Sequence, residues 1–178
     1  MSGSQENAMP APMFPVNTHR YDPYRTFKFQ VVIAGRTVAG LSKMGALKRT
    51  TESVKWRSAG DPSSQRVMPG GSSFEAVSLE QGLSHDPIFE EWANAVNNVA
   101  DGDAGMSLKN YRRDVVINVL NLQGTPAITY QLRRAWVSEF TALPEFDANN
   151  MNTVGIQSIT IQHEGFVRDK GVSEPAET

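Results

Sequence analysis

The alternation of apolar and polar side chains predicts that this chain is built mostly of β-strands. The clearest case lies near the start, where Phe27, Phe29, Val31 and Ile33 occupy every second position. This spacing places one face of a strand against a core. Further strands are predicted at 38–48 (interrupted by glycines), 51–57, 74–81, 114–122, 128–140 and 154–166.

One segment departs from this alternation and predicts a single amphipathic helix. Asp86 suits the N-cap, and Pro87 suits the first helical position. Glu90 and Glu91 lie in the first turns, where the helix dipole favours anions, and the Asp101-Gly102 pair ends the helix. Such a helix must lie on the apolar face of the sheet or cap the open end of a barrel. Its predicted apolar stripe consists of Ile88, Phe89, Trp92, Ala93, Val96 and Val99.

A second exception is the segment Ser58–Ser72, between the third and fourth predicted strands, which shows no periodicity. Loops longer than about 12–15 residues in compact domains are usually functional or disordered. Prolines stiffen this segment and glycines allow it to bend tightly. A stiffened, protruding loop is suited to docking, and a mobile surface loop is the simpler alternative. The candidate contact residues are Gly60, Asp61, Pro62, Arg66, Pro69 and Gly70.

The two ends of the chain differ in composition from the predicted domain at 24–170. Residues 1–23 contain four prolines among small and polar residues, which predicts an extended arm. Residues 171–178 form a short polar tail. The start lacks a basic region followed by an apolar one, so we expect no secretion signal and synthesis in the cytosol. No apolar run approaches the ~20 residues of a membrane span.

Composition and motifs give no support for catalysis. The net charge is -2 and cysteine is absent, which argues against a global basic field and against thiolate metal sites. His19, His85 and His163 lack metal-ligand spacing. The segment 40–45 has one residue too many for a nucleophile elbow, and 101–112 lacks the final glutamate of a calcium loop. We therefore predict no enzyme, no metal and no cofactor.

Two features point instead to contacts with other molecules. Lys48, Arg49, Lys55 and Arg57 form a modest basic cluster near Trp56, which is either a solvated strand face or a contact to nucleic acid. The long strands also leave free edges that one helix can hardly cover, and such edges favour pairing between chains. Closure of several copies into a ring is one solution.

The ordered set of motifs resembles the tail-tube proteins of contractile phage tails and of phage-like extracellular contractile injection systems. The resemblance runs from about residue 23 to 168. It begins with Pro23-Tyr24, Phe27, Phe29 and Val31 and continues through Gly60, Met68-Pro69-Gly70, Val77–Gly82, Phe89, Trp92, Ala135-Trp136-Val137, Phe146-Asp147-Ala148 and Ile156–Ile159.

This resemblance implies an antiparallel β-sandwich or barrel with one flanking helix, similar to the haemolysin-coregulated tube protein of type VI secretion. It implies hexameric rings that stack into a hollow tube inside a contractile sheath. The segment 58–72 would contact the adjacent ring. From their opposite charges we predict that Arg66 and Asp61 pair across rings, and that Pro69-Gly70 sets the return bend. Implied partners are other copies of the chain, sheath subunits, baseplate or tube-initiator proteins, and effectors carried in the lumen.

Three alternatives remain open at this level. The chain could be another part of the same machine, such as a tube initiator. It could be the tube of a true phage, in which case nucleic acid would pass through the lumen. A monomeric β-barrel that binds a small ligand in an apolar pocket is an alternative of a different class.

Overall fold

The computed structural model describes residues 24–60, 63–100 and 110–173, and this part of the chain contains ten strands and one helix. The predicted fold class, mainly β with one helix, is confirmed. The predicted N-terminal arm and the last five residues of the tail lie outside the described residues. In chain order the elements are β1 (Phe29–Ile33), β2 (Arg36–Thr37), β3 (Leu41–Met44), β4 (Arg49–Trp56), β5 (Arg66–Phe74), β6 (Val77–Gly82), α1 (Ile88–Val96), β7 (Arg113–Leu120), β8 (Pro126–Thr141), β9 (Ile156–Gln162) and β10 (Phe166–Asp169).

Eight of these strands form one antiparallel sheet that folds over on itself. Its order is β2-β1-β7-β8-β9-β6-β3, and β10 also pairs with β8. The first part of β8 pairs with β7 and β10, and its last part pairs with β9. The two halves of the sheet thus share β8, and their inner faces enclose a single core. The core contains Val31, Ile33, Val115, Ile117 and Leu132 from one half and Val77, Leu79, Val137, Ile159 and Ile161 from the other.

A bulge at Arg133 and Arg134 lets β8 pass from one half of the sheet to the other. Arg134 has a φ of 52°, an uncommon conformation for a residue other than glycine. Its backbone N–H donates to Asp114 Oδ1 at 3.1 Å, and its Nε lies 3.4 Å from a carboxylate oxygen of Glu164. These contacts hold the bend in place.

The helix packs on the core through the first part of its apolar stripe. Ile88, Phe89 and Trp92 are buried, and Val96 is half-buried against the same core. Trp92 donates its indole N–H to the carbonyl oxygen of Tyr111 at 2.8 Å. The helix is thereby joined to the segment that leads into β7.

Two details of the predicted helix are wrong. The helix ends at Val96, and Val99 is 95% exposed, because Asn97 already has an extended backbone that breaks the helical turn. At the other end Pro87 occupies the N-cap, one residue later than predicted. Asp86 still contributes there, since its Oδ1 accepts the N–H of Ile88 at 3.3 Å and pairs with Arg36 at 2.7 Å.

Two of the predicted strands are divided in the structure. The segment 154–166 contains β9 followed by the start of β10, because the chain turns at Gly165, whose φ is 148°. The segment 38–48 contains only β3 as a strand, because the turn at Gly40, with a φ of 68°, precedes it. Within the described residues, no helix is long and apolar enough to cross a membrane.

Candidate functional site

A two-stranded hairpin formed by β4 and β5 projects from the folded sheet. In the described part of the chain these strands pair with each other and with no other strand. Every residue of β4 is exposed, and so is most of β5. An isolated two-stranded hairpin is marginally stable in water. The hairpin therefore has the character of an element that is completed by a contact with another molecule.

The hairpin corrects the prediction that Ser58–Ser72 is a protruding loop throughout. Its second half, from Arg66 onward, lies in β5. Pro69 and Gly70 therefore lie within a strand and do not form the return bend. The prediction was wrong because proline and glycine usually mark turns, whereas proline is also tolerated in strands with a free edge. The connection between the strands is confined to residues 57–65.

Glycine at position 70 has a packing role inside the hairpin. A Cβ there would lie 3.0 Å from Cγ2 of Val54 and 3.3 Å from the carbonyl oxygen of Glu52. The pairing register between the strands also shifts next to this glycine. The glycine lets the strands approach closely where the ladder is irregular, which is a different function from bending the loop.

Gly60 and Arg66, two of the remaining predicted docking residues, lie near the tip of the hairpin. Gly60 has a φ of 132°, which suits glycine alone. Asp61 and Pro62 lie outside the described residues. Arg66 is placed at the start of β5, with its guanidinium 5.5 Å from the centre of the Trp56 ring. The pairing of Arg66 with Asp61 across rings stays a prediction.

One face of the hairpin carries an apolar surface that the sequence analysis missed. Val54 pairs with Met68 and Trp56 pairs with Arg66, so these side chains share a face. Val54, Trp56 and Met68 are each almost half exposed. Exposed apolar groups on a projecting element are typical of a surface that contacts another protein. Alternation within 51–57 was the available signal, but the partner strand had been interpreted as a loop.

An aromatic cluster anchors the base of the hairpin to the folded sheet. The ring of Phe74, the last residue of β5, lies 5.7 Å from the ring of His163 and 5.8 Å from that of Phe166. Phe166 also meets Tyr130 edge-on at 6.1 Å. His163 is buried, and neither of its ring nitrogens has a hydrogen bond of normal geometry within the described chain.

Burial lowers the pKa of His163 below its ordinary value of 6.5, because the charged ring would lose solvation. The nearby backbone groups of Glu75 and Gly165 oppose this shift only in part. The unfolded chain takes up a proton near 6.5, and the folded protein does so only at lower pH. The stabilising effect of the neutral ring is thus complete above 6.5 and is lost as the pH falls toward the folded pKa.

We expect the urea midpoint of the protein to fall between pH 7.5 and pH 5, with His163 causing part of that fall. Replacing His163 by leucine should make the midpoint less sensitive to pH over this range. The matched control is His85→Gln, which replaces an exposed histidine outside the aromatic cluster. An identical pH dependence in His163→Leu and the unmodified protein would contradict this assignment.

A cleft beside the helix does not have the character of a ligand pocket. It has a volume of about 670 Å³ and is bounded by the β1–β2 turn, the start of the helix and the segment before β7. Five of its lining side chains are charged, namely Arg36, Glu91, Arg112, Arg113 and Asp114. Small-molecule sites are mostly apolar and concave. The cleft therefore offers little support for a ligand-binding module.

A folded-over β-sheet with one docked helix and a projecting, exposed hairpin is an architecture suited to contacts between chains. The family model of the T4-like virus tail tube protein gp19 matches residues 25–167. The chain belongs to this family, and the predicted resemblance is confirmed. No curated protein matches the sequence significantly.

Solved structures share this fold at low sequence identity. A chain in the structure of the anti-feeding prophage cap, which terminates the tube, is 20% identical to this chain with a TM-score of 0.69, and the match covers 89% of this chain and 99% of that chain. A chain in the sheath–tube complex of the extracellular contractile injection system PVC is 19% identical to this chain with a TM-score of 0.68, and the match covers 83% of this chain and 91% of that chain. Hcp1 from Flavobacterium johnsoniae is 14% identical with a TM-score of 0.51, covering 85% and 100%. The predicted likeness to the type VI tube protein is confirmed at the level of the fold.

Proposed function

We propose that this protein is the inner-tube subunit of a contractile injection particle. Six copies form a ring, and the rings stack into a hollow tube that sheath contraction drives toward a target to deliver cargo. The observation that carries the proposal is the exposed β4–β5 hairpin on a domain of the tail-tube family. An element exposed along one entire strand requires a partner, and another copy of the same chain is the partner that a tube provides.

The fold neighbours support the identity of the other partners. One structure is a sheath–tube complex in the extended state, another is a sixfold-symmetrised baseplate, and a third is a terminating cap. We propose that sheath subunits surround the tube of this protein, that baseplate or initiator proteins start it, and that effectors occupy its lumen. Assembly would take place in the cytoplasm, and the finished assembly would be a cytoplasmic particle, a released extracellular particle or a virion.

The proposed mechanism is mechanical. Backbone pairing between neighbouring strand edges stiffens each ring, because it satisfies edge groups that would otherwise bind water. Stacking repeats one heterologous contact, which propagates as an open column. The tube transmits force and encloses cargo, so we propose that the chain is not an enzyme.

A phage tail tube that conducts DNA is the second candidate, because the matching family model is that of a T4-like virus protein. The two candidates share the fold and the stacking mechanism. Purified particles distinguish them by content: a DNA-filled head indicates a phage, and headless particles with protein in the lumen indicate an injection system.

We expect the purified chain to assemble into rings or stacked tubes. Negative-stain electron microscopy should show rings of six, and sedimentation velocity should show species that grow with protein concentration. The physical reason is that the hairpin and the sheet edges are both incomplete in a single copy. A monomer whose sedimentation does not change with concentration would contradict the proposed function and favour a monomeric β-barrel.

A further inference from the structure

The 142–155 loop, which connects β8 to β9, exposes several apolar side chains. Phe146 is 67% exposed, Met151 93% and Val154 73%. Leu83 lies against the end of the loop, where its backbone N–H donates to the carbonyl oxygen of Gly155 at 2.9 Å. This exposed apolar surface lacks a role in the folding of a single copy, and such surfaces mark sites of protein contact.

The loop is locally ordered, so its apolar side chains are held outward. The backbone N–H of Asn149 donates to Asp147 Oδ1 at 2.9 Å. The N–H of Asn150 donates to the carbonyl oxygen of Asp147 at 3.1 Å. These bonds form the compact turn that aspartate commonly nucleates. The surface that contains Phe146 and Met151 is therefore prepared before any contact is made.

The loop and the hairpin lie at opposite ends of the same half-sheet. The hairpin is inserted between the end of β3 and the start of β6, which lie side by side where Met44 pairs with Leu79. At the other end of β6, Gly82 pairs with Ile156, the residue that follows the loop. A strand of six residues is about 20 Å long at ~3.3 Å per residue. Copies stacked head to tail would bring the hairpin of one copy to the loop of the next.

The two surfaces carry opposite charge. Between positions 49 and 66 the sequence has four basic residues and two acidic ones, a net charge of +2. The 142–155 loop contains Glu145 and Asp147 and no basic residue, a net charge of -2. Both surfaces also present exposed apolar groups. Complementary charge at the rim of an apolar contact fixes its register and disfavours wrong pairings.

We propose that the 142–155 loop is the surface on which the hairpin of another copy, in the adjacent ring, docks. This proposal rests on the proposed function and adds the second half of the stacking contact. Trp56 and Met68 of the hairpin face pack against Phe146 and Met151, and the basic hairpin surrounds the acidic loop. A heterologous contact of this type repeats once per subunit, so six weak contacts act together between two rings.

Reciprocal charge reversal in the full chain tests the contact. The loop variant is Glu145→Lys with Asp147→Lys, and the hairpin variant is Arg57→Glu with Arg66→Glu, where Arg66 shares the face of Trp56. Each should give single rings without tubes, and the chain that carries all four changes should regain tubes. The matched control is Glu174→Lys with Glu177→Lys in the C-terminal tail, which has the same charge change and should assemble normally. Electron microscopy and sedimentation velocity give the readout.

A second loop variant keeps the charge and removes the apolar groups. The double variant Phe146→Ser with Met151→Ser retains Asp147 and the turn that it forms. It therefore tests the loop without changing the residue that holds the turn. We expect rings without tubes here as well. Normal tubes in either loop variant would overturn the proposal. Loss of the rings would also overturn it, because the loop would then serve closure within the ring. Failure of the fourfold variant to regain tubes would also overturn the direct pairing.

Chemical cross-linking provides an independent test, since the natural chain has no cysteine. A chain with Arg66→Cys, on the same hairpin face as Trp56, and Asp147→Cys, treated with a short bis-maleimide, should form covalent columns longer than six copies. Each single-cysteine chain should give dimers at most. Absence of columns in assembled tubes would overturn the docking assignment while leaving the tube itself intact. Failure of the unmodified protein to form rings would instead count against the proposed function.

Discussion

Replacing Trp92 by alanine is expected to cost about 3–5 kcal/mol of folding free energy, the range for large aromatic residues removed from a core. Trp92 has no exposed surface, and it lies among Phe89, Ile88 and the sheet residues of the core. The substitution also removes the indole N–H, so the carbonyl oxygen of Tyr111 loses its 2.8 Å hydrogen bond. Urea denaturation at low protein concentration, followed by circular dichroism, measures the loss.

The chain offers a matched control for this change in Trp56. The side chain of Trp56 is 48% exposed, and its ring makes a cation–π contact with Arg66. Trp56→Ala should therefore cost only about 0.5–1 kcal/mol, the value of an exposed cation–π contact. Trp92→Phe should cost less than Trp92→Ala because it keeps most of the ring. A loss of only about a few tenths of a kcal/mol of folding free energy for Trp92→Ala would mean that the helix is not docked as described.

The core strands and the helix were predictable because their patterns have a direct physical cause. One buried face requires an apolar residue at every second position of β1, and one buried stripe requires the spacing seen in Ile88 and Trp92. The end of the helix was less predictable. Val99 continues the apolar spacing, yet the helix ends at Val96 and Asn97 is extended. The apolar spacing therefore extends beyond the end of the helix.

The second strand of the hairpin was the part that periodicity could not show. The first strand, β4, was predicted at 51–57, whereas most of β5 faces solvent and has no need for alternation. Pro69 and Gly70 in β5 then suggested a loop, since local propensity was the only remaining signal. The 142–155 loop was missed for a related reason. Its apolar residues have no period, and their role depends on which end of the sheet they occupy.

The hairpin explains why stacking and folding should be separable in this protein. Its strands add to neither half of the large sheet, and its link to the core is the aromatic cluster around Phe74. The core residues of the sheet come from other elements. Removal of the hairpin beyond its base therefore leaves the core complete, while it removes the largest exposed element that another copy can contact.

Replacing residues 51–72 by Asn-Gly is expected to abolish tubes completely and to leave folded rings. Thr50 and Ser73 are directly paired, and Asn-Gly is the preferred two-residue connection between such a pair. Phe74 keeps its contacts with His163 and Phe166, so the base stays anchored. We expect the rings to persist because the proposed ring closure uses the edges of the large sheet. Electron microscopy beside the unmodified protein, with circular dichroism to establish folding, measures the outcome.

A tip variant separates the strands of the hairpin from its turn. Replacing only residues 57–65 by Asn-Gly joins Trp56 to Arg66, which are paired, and retains the apolar face with Val54 and Met68. If that face makes the contact between rings, the tip variant should still form tubes, whereas the full truncation should not. Loss of tubes in both variants would instead assign stacking to the tip residues around Gly60.

Normal long tubes after the full truncation would refute a stacking role for the hairpin. Loss of rings as well as tubes after that truncation would mean that the hairpin serves closure within each ring.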